Sequence, residues 1–527
     1  MKRLPQIPFL AVLSVVLLGC GGPEIEVGLS PGEAVLSRGG SARFFLTITS
    51  TRLDAAGDFT VEGAPPGVTA RFVDSSGNDV GGGAGGTNPS ELVLTAAKDA
   101  RLGPATLTIV ASHRGARLAE EALSIDVQGL TVTGTVEGER GFPLGGLTVR
   151  IRGLPETMTA ADGTFTIHNA PSPYDLTVAS IPTRDAHTWL GLTTTSVRVT
   201  PFLWTPSDNS RSVLSGSFSG LNSPHLDTDK VLLTTEGHYQ EVKGSASLSG
   251  ESDTFDLVGV WWARALRAPT TVHALQTRTM AGDTRYLGYG RQEIAFLDNE
   301  DAVVSVALRP VKTARMTGSI VPPPGFTISE LFATVEFGQH GAISLPVSNS
   351  RSHSPTYDVP VIAGSTYAFG AAGTAAGGRL IFGRTSGHTT DTTPILELHP
   401  PVDLIAPADG IRVTASTEFV VSNPTGGALT FAFKSFGAEG VTQLVTTMTP
   451  RAQLQDLSEM GLPAPRGAYF WEVFSAPGMA SVDAAASNGG IVGLYKSMAW
   501  FQSNPWMPIP RGTGSLGVSE TRSFTLQ

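Results

Sequence analysis

Thr106-Leu107-Thr108-Ile109-Val110 and Leu123-Ser124-Ile125-Asp126-Val127 are the stretches that decide how this chain folds. In both, every second residue is apolar. Side chains alternate across an extended backbone, so each run reads as a strand with one buried face and one wet face. Ala42-Arg43-Phe44-Phe45-Leu46-Thr47-Ile48-Thr49 keeps the same period, with Phe44, Leu46 and Ile48 on one face and Phe45 on the other. Ala64-Pro65-Pro66-Gly67-Val68 and Arg101-Leu102-Gly103-Pro104 carry turn chemistry that a helix cannot accommodate. The pattern continues through all 527 residues, where 61 glycines and 36 prolines punctuate short runs rich in Val, Thr, Leu and Ser. A chain of this length implies roughly three to five domains rather than one core. The expected fold class is all-β, a tandem array of small antiparallel β-sandwiches.

The amino terminus has a different character. Lys2 and Arg3 precede an apolar run from Pro8 to Leu18, which ends in Leu17-Leu18-Gly19-Cys20. About a dozen apolar residues are too few to cross a ~30 Å hydrocarbon layer, so the segment reads as an export signal rather than a membrane span. Cys20 is the only cysteine. Exported chains use cysteines in pairs for disulfides, and a single one at the end of an apolar run implies a thiol committed elsewhere. The stretch resembles the lipobox of bacterial lipoproteins. That resemblance implies cleavage between Gly19 and Cys20, a signal peptide over 1–19, acyl chains on Cys20 and a short tether over 20–23. Gly21 stands where an Asp would favour the inner membrane of two-membraned bacteria, so the resemblance implies a cell-envelope protein anchored at the outer membrane, with the leaflet undetermined. Loss of Lys2 and Arg3 with the signal takes 36 basic residues to 34, against 46 acidic, a formal charge of −12. Such a surface suits a soluble ectodomain and argues against a nucleic-acid partner.

Four resemblances divide the remainder. Residues 24–128, with "PPGV" before one strand and "LGPATLTIVAS" as a late one, resemble the immunoglobulin-like sandwiches of bacterial surface proteins. Residues 129–205 carry Val132-Thr133-Gly134-Thr135-Val136, Pro143 to Ile151, Thr159 to Ile167 and Tyr174-Asp175-Leu176-Thr177-Val178. They resemble the carboxypeptidase regulatory-like domain, a transthyretin-like module that is non-catalytic. There, Asp162-Gly163 is suited to the positive φ values of a two-residue hairpin turn, returning Phe165 and Ile167 to the core face. Residues 206–312 and 313–401 read as related sandwich modules. Leu214-Ser215-Gly216-Ser217 matches Met316-Thr317-Gly318-Ser319, and Thr254-Phe255-Asp256-Leu257 matches Thr356-Tyr357-Asp358-Val359, both at an offset of 102 positions. Chance matches should not share an offset. Residues 402–527, with Pro407-Ala408-Asp409-Gly410, Pro450 to Leu457 and Tyr469-Phe470-Trp471-Glu472-Val473, resemble fibronectin type III-like domains. Alternation of Tyr469, Trp471 and Val473 puts Trp471 in that core.

Catalytic signatures are sparse. Gly28-Leu29-Ser30-Pro31-Gly32 matches G-x-S-x-G formally, but a nucleophile elbow requires a strand leading into a helix, and Pro31 and Gly32 open a loop between strands. The ten histidines form no H-E-x-x-H, and no second cysteine is available to complete a zinc site. Asp298-Asn299-Glu300-Asp301 and Asp227-Thr228-Asp229 offer oxygen ligands without a calcium-loop spacing, and read as solvated turns. No catalytic residue, metal or cofactor is expected. The candidate recognition residues are aromatic: Trp261 and Trp262, which fall on opposite faces of one strand, and Trp500, Phe501 and Trp506, on a loop set by Asn504 and Pro505. The expected function is a non-catalytic, lipid-anchored envelope protein that binds a carbohydrate or protein partner or acts as a spacer. The alternatives are an envelope hydrolase for glycan or peptide, with its site between modules, and an accessory subunit of an outer-membrane complex.

Overall fold

A computed structural model describes residues 24–527, apart from 52–56, 81–87, 139–142, 203–208, 221–228, 237–239, 244–245, 248–252, 264–266, 281–282, 339–340, 348–351, 438–439, 488, 496–497 and 499–512. The protein is a series of antiparallel β-sandwiches in two compact units, residues 1–129 and 130–527. Among the described residues, no helix is long and apolar enough to cross a membrane.

In the first unit, Glu24–Ser30, Ser41–Thr51, Glu91–Ala96 and Val68–Val73 form one sheet in that order. Glu33–Ser37, Ala116–Gln128, Gly103–His113 and Asp58–Glu62 form the other. The alternating runs close the core between them, with Phe44, Leu46, Leu92 and Leu94 packed with Leu107, Ile109, Leu123, Ile125 and Val127. Phe44 is 0% exposed and Phe45 beside it 63%. The Pro65-Pro66-Gly67 turn needs its glycine: φ at Gly67 is +82°, and a Cβ there would come within 2.6 Å of the Ala100 Cα.

The second unit begins with three modules that share a pairing scheme. Leu130–Val136 pairs antiparallel with Thr164–Ala170 and parallel with Ser196–Val199. Asn209–Ser219 pairs antiparallel with Thr254–Ala263 and parallel with Asp301–Ala307. Lys312–Thr317 pairs antiparallel with Thr356–Val361, and Ser319–Val321 continues parallel to Ile395–Glu397. The repeated tetrapeptides lie on paired strands in both copies, but in different registers: Ser217 stands opposite Thr254, whereas Thr317, the counterpart of Ser215, stands opposite Thr356. The Asp162-Gly163 turn differs from the expectation. Only Gly163 is left-handed, at φ 75°, and the turn is closed by its N–H donating to the Ala160 carbonyl at 2.9 Å. Asp162 instead accepts from the Thr164 N–H and hydroxyl at 3.0 and 2.6 Å, which holds the turn without a positive φ of its own. Phe165 and Ile167 do reach the core, with Val132, Val149, Leu176 and Trp189.

The last module is inserted between two of the others. Its Thr442–Thr447 strand pairs in parallel with Asp185–Leu192, and its Gly514–Val518 strand pairs antiparallel with Leu380–His388. Ala428–Ser435 and Gly467–Ala476 join these two strands, so one sheet runs from Thr157–Met158 to Gly341–Leu345 through three modules. The first seam has a buried polar centre. The Phe202 N–H donates to His187 Nδ1 at 3.2 Å, which leaves the ring proton on Nε2 to donate to the Thr446 hydroxyl at 2.8 Å. The Thr446 hydroxyl in turn meets that of Thr430 at 2.7 Å, and the imidazole stacks on Trp189 at 4.0 Å. The Asp483 carboxylate, on the short helix Val482–Ala486, accepts from the Thr193 N–H and hydroxyl at 3.1 and 2.8 Å and from the Thr194 N–H at 3.2 Å.

Two outcomes follow from these placements. Phe44→Ala should cost about 3–5 kcal/mol by emptying the first core, and Phe45→Ala less than about 0.5 kcal/mol, as read by hydrogen exchange across residues 24–128. Burial depresses the His187 pKa to about 3 from 6.5. Above pH 6.5 the ring is neutral in both folded and unfolded chains. Below it the unfolded chain takes up a proton that the folded one refuses, so stability falls by up to about 1.4 kcal/mol per pH unit until pH approaches the folded value. Urea titrations from pH 7 to 4 should show a shallower slope for His187→Gln. A residual slope should remain, because burial also lowers the His273 pKa despite the nearby Glu236.

Candidate functional site

The sequence-predicted site residues fall in two groups. Gly19, Cys20, Trp500, Phe501 and Trp506 lie outside the described residues. Trp261 and Trp262 sit near the end of the Thr254–Ala263 strand, opposite Arg211 and Ser210 on one neighbour and Glu241 and Gln240 on the other. Their side chains also lie outside the described set. Ser30 closes one strand and Glu33–Ser37 follows as another, so no helix holds that serine as a nucleophile. Asp298-Asn299-Glu300-Asp301 is a strand-to-strand turn in which the Glu300 N–H donates to the Leu297 carbonyl at 3.2 Å. Asp227 and Thr228 lie outside the described residues, but Asp229 is fully buried. It receives two hydrogen bonds from the Arg278 guanidinium at 2.6 and 2.7 Å, the geometry of a structural ion pair. Among the described residues, no three His, Cys, Asp or Glu side chains converge as metal ligands.

An exposed aromatic pair beside a hollow lies on the last module. Ala428–Ser435 and Gly467–Ala476 pair with Lys434 opposite Phe470 and Ala432 opposite Glu472. Tyr469, Trp471 and Val473 turn inward onto Phe419, Phe431 and Phe524, as the alternation predicts for Trp471. Phe470 and Glu472 must therefore turn outward. The Phe436 N–H donates to the Ala468 carbonyl at 3.1 Å, which carries the strand pairing one step further and brings the Phe436 ring against Phe470. The ring centroids are 3.6 Å apart with planes tilted by 38°, and the two residues remain 56% and 37% exposed. Beside them lies a hollow of about 190 Å³ lined by Ala432, Lys434, Phe470, Trp471, Glu472 and Thr521.

Charge in the hollow is balanced. Lys434 pairs with Glu472, whose other oxygen accepts from the Thr521 hydroxyl at 3.3 Å. Burial works to discharge the Lys434 ammonium, but the charge and hydrogen bond of Glu472 outweigh it, and the net shift is upward. The ammonium also stands 6.0 Å over the Phe474 ring, which Tyr495 backs at 4.4 Å. The hollow thus sets apolar ring surface beside one cation, one anion and a hydroxyl. A second, wider hollow of about 510 Å³, lined by Arg150, Gly153, Leu154, Pro155, Glu156 and Glu459, contains no aromatic side chain. Phe436 and Phe470 were missed among the sequence candidates, although the period that buries Trp471 also exposes Phe470. An aromatic on the wet face of a strand is the informative observation.

No protein-family model matches the chain, and no curated protein matches it. Among solved structures, the chain is similar to domains 5-6 of the S-layer protein SbsC, at 12% identity over 53% of this chain and 100% of that one, with a TM-score of 0.14. It is similar to the pilus adhesin SpaC from Lactobacillus rhamnosus GG, at 9% identity over 76% of this chain and 57% of that one, with a TM-score of 0.15. The N-terminal four Ig domains of Dscam1 isoform 8.4 match at 10% identity over 96% and 99%, with a TM-score of 0.13. Scores this low define no shared arrangement, so the class of protein, a multi-module all-β chain, rests on the strands and cores described above.

The Asp229 pair is open to a direct test. Arg278→Met should destabilise its module by about 3–5 kcal/mol by stranding a buried carboxylate, and adding Asp229→Asn should recover most of that loss, as measured by urea denaturation.

Proposed function

We propose that this chain is a non-catalytic envelope protein, held at the outer membrane by acyl chains on Cys20, whose sandwich modules present a binding surface to a polysaccharide or protein partner. The single observation that supports binding most directly is the exposed Phe436 and Phe470 pair beside the charge-balanced hollow of Lys434 and Glu472. Large aromatics left in water cost solvation, and a stacked pair of them, one on a strand and one just past the end of its neighbour, is best explained by an occupant that covers them. Anchoring rests on the Leu17-Leu18-Gly19-Cys20 stretch and on the absence of any other cysteine from the sequence. The modules over 24–401 then act as spacer and support.

Protein purified from native membranes should begin at Cys20 and carry acyl mass on that residue. Cys20→Ala should move it to the soluble fraction. In a pull-down of envelope material, Phe436→Ala with Phe470→Ala should weaken association on the order of tenfold or more, as two aromatic contacts worth about 1 kcal/mol each would require. Undiminished association in that variant, with loss on Trp262→Ala or Trp506→Ala, would move the surface to the aromatics expected from sequence.

A further inference from the structure

We propose that the hollow beside Phe436 and Phe470 takes one neutral pyranose unit of a polysaccharide, an inference that rests on the binding reading above and names its ligand class. Charge supports this first. The hollow holds one cation and one anion already paired, Lys434 with Glu472, and the adjoining Arg522 pairs with Glu520 at 3.0 Å. An ionic ligand would find no uncompensated partner there, and an acidic polymer would meet a chain of formal charge −10. Shape and chemistry point the same way. A sugar ring is amphipathic, with C–H groups on one face and hydroxyls around its edge. Phe470 offers the apolar wall, with Phe436 stacked against it from outside the lining, while Lys434 donates, Glu472 accepts and Thr521 can do either.

The strand pairing disfavours an extended peptide, which would bind most simply by adding a strand to a free edge. Ala428–Ser435 is paired on both sides, by Thr442–Thr447 and Gly467–Ala476. Gly467–Ala476 is paired in turn by Gly514–Val518 and Arg522–Leu526. Among the described residues, neither strand has a free edge over Leu429–Phe433 or Gly467–Trp471. Volume sets the length of ligand engaged: about 190 Å³ falls below the ~300–1,000 Å³ of sites that enclose a drug-sized molecule, so one ring is seated and the rest of the polymer runs through solvent. A single shallow ring implies a dissociation constant on the order of millimolar, and useful retention then comes from many anchored copies meeting one polymer.

The test uses the detergent-solubilised mature chain in affinity gels containing dextran, mannan or galactan as neutral polymers, polygalacturonate as an anionic one, and no polymer as a control. Retardation by at least one neutral polymer, reduced about fivefold by Phe470→Ala or by Phe436→Ala and tenfold or more by the two together, with thermal unfolding unchanged, is the expected result. Glu472→Gln should change the ranking among the neutral polymers, because it turns one acceptor oxygen into a donor and removes the charge that pairs with Lys434. Retardation by polygalacturonate alone, or neutral-polymer binding that survives both alanine substitutions, overturns the inference. Loss of an envelope protein from the double variant's pull-down, with no neutral polymer bound by the native chain, overturns the sugar assignment and leaves the binding reading standing. A double variant indistinguishable from the native chain in both assays overturns the two together.

Discussion

A strand edge carries a row of backbone N–H and C=O groups that must find partners, and residues 130–527 are arranged around satisfying two such rows. Asp185–Leu192 and Leu380–His388 would each end a sheet if their modules stood alone. The last module supplies a strand to each, Thr442–Thr447 to one and Gly514–Val518 to the other. Leaving an edge open exposes a template for unwanted pairing, and closing it with a strand of the same chain removes that hazard while fixing orientation. Three sandwiches thereby share one hydrogen-bonded layer rather than touching through side chains.

Backbone pairing sets the distance between strands, but register along the seam is left to side chains. His187, Thr446 and Thr430 form a chain of buried polar groups that is satisfied at one alignment of the two strands. A slip of one residue would put these groups against hydrocarbon. Gln443 makes the same point from its other neighbour, its amide donating to the Gln455 carbonyl at 2.9 Å while its oxygen accepts from the Gln455 N–H at 2.9 Å. In the module over 313–401 the buried pair of Glu336 and Arg384 plays a comparable part, since Arg384 sits directly opposite Gly514. The modules over 206–312 and 313–401 meet by another means. Phe337 stacks on His273 at 4.1 Å and on Tyr289 at 5.6 Å, and His273 is held on its own side by Tyr289 at 2.7 Å and Glu236 at 3.0 Å, so that junction is built from stacked rings without a shared sheet among the described residues.

The same distinction explains what could be read from sequence. Strands of the first unit show alternation because one face is wet, and the 102-position repeat falls on strands that pair with each other in both copies, though in different registers. Ala428–Ser435 and Thr366–Thr374 show none, since nearly every residue in them is buried. Phe431 and Phe433 of the first face the inner core, while Ala428 and Ala432 face the layer formed by Met479, Ile491, Val492 and Leu494. A strand covered on both faces has no reason to alternate. Pairing between distant modules leaves no local mark either, because backbone hydrogen bonds are indifferent to residue type.

The placement of the aromatic pair follows from that double covering. Among the described residues, the apolar layer over Ala432 and Phe474 does not include Phe470, which is 37% exposed. Phe470 stands on a strand paired on both sides, opposite Lys434 and Ser523, and Phe436 follows directly on the end of Ala428–Ser435. Rings mounted this way lose little freedom when something covers them, and the entropic cost that makes shallow binding weak is largely met in folding. The locked sheet and the exposed rings thus belong to one argument: the module with the most backbone constraint is the one that can leave aromatic surface in water and still present it in a fixed geometry.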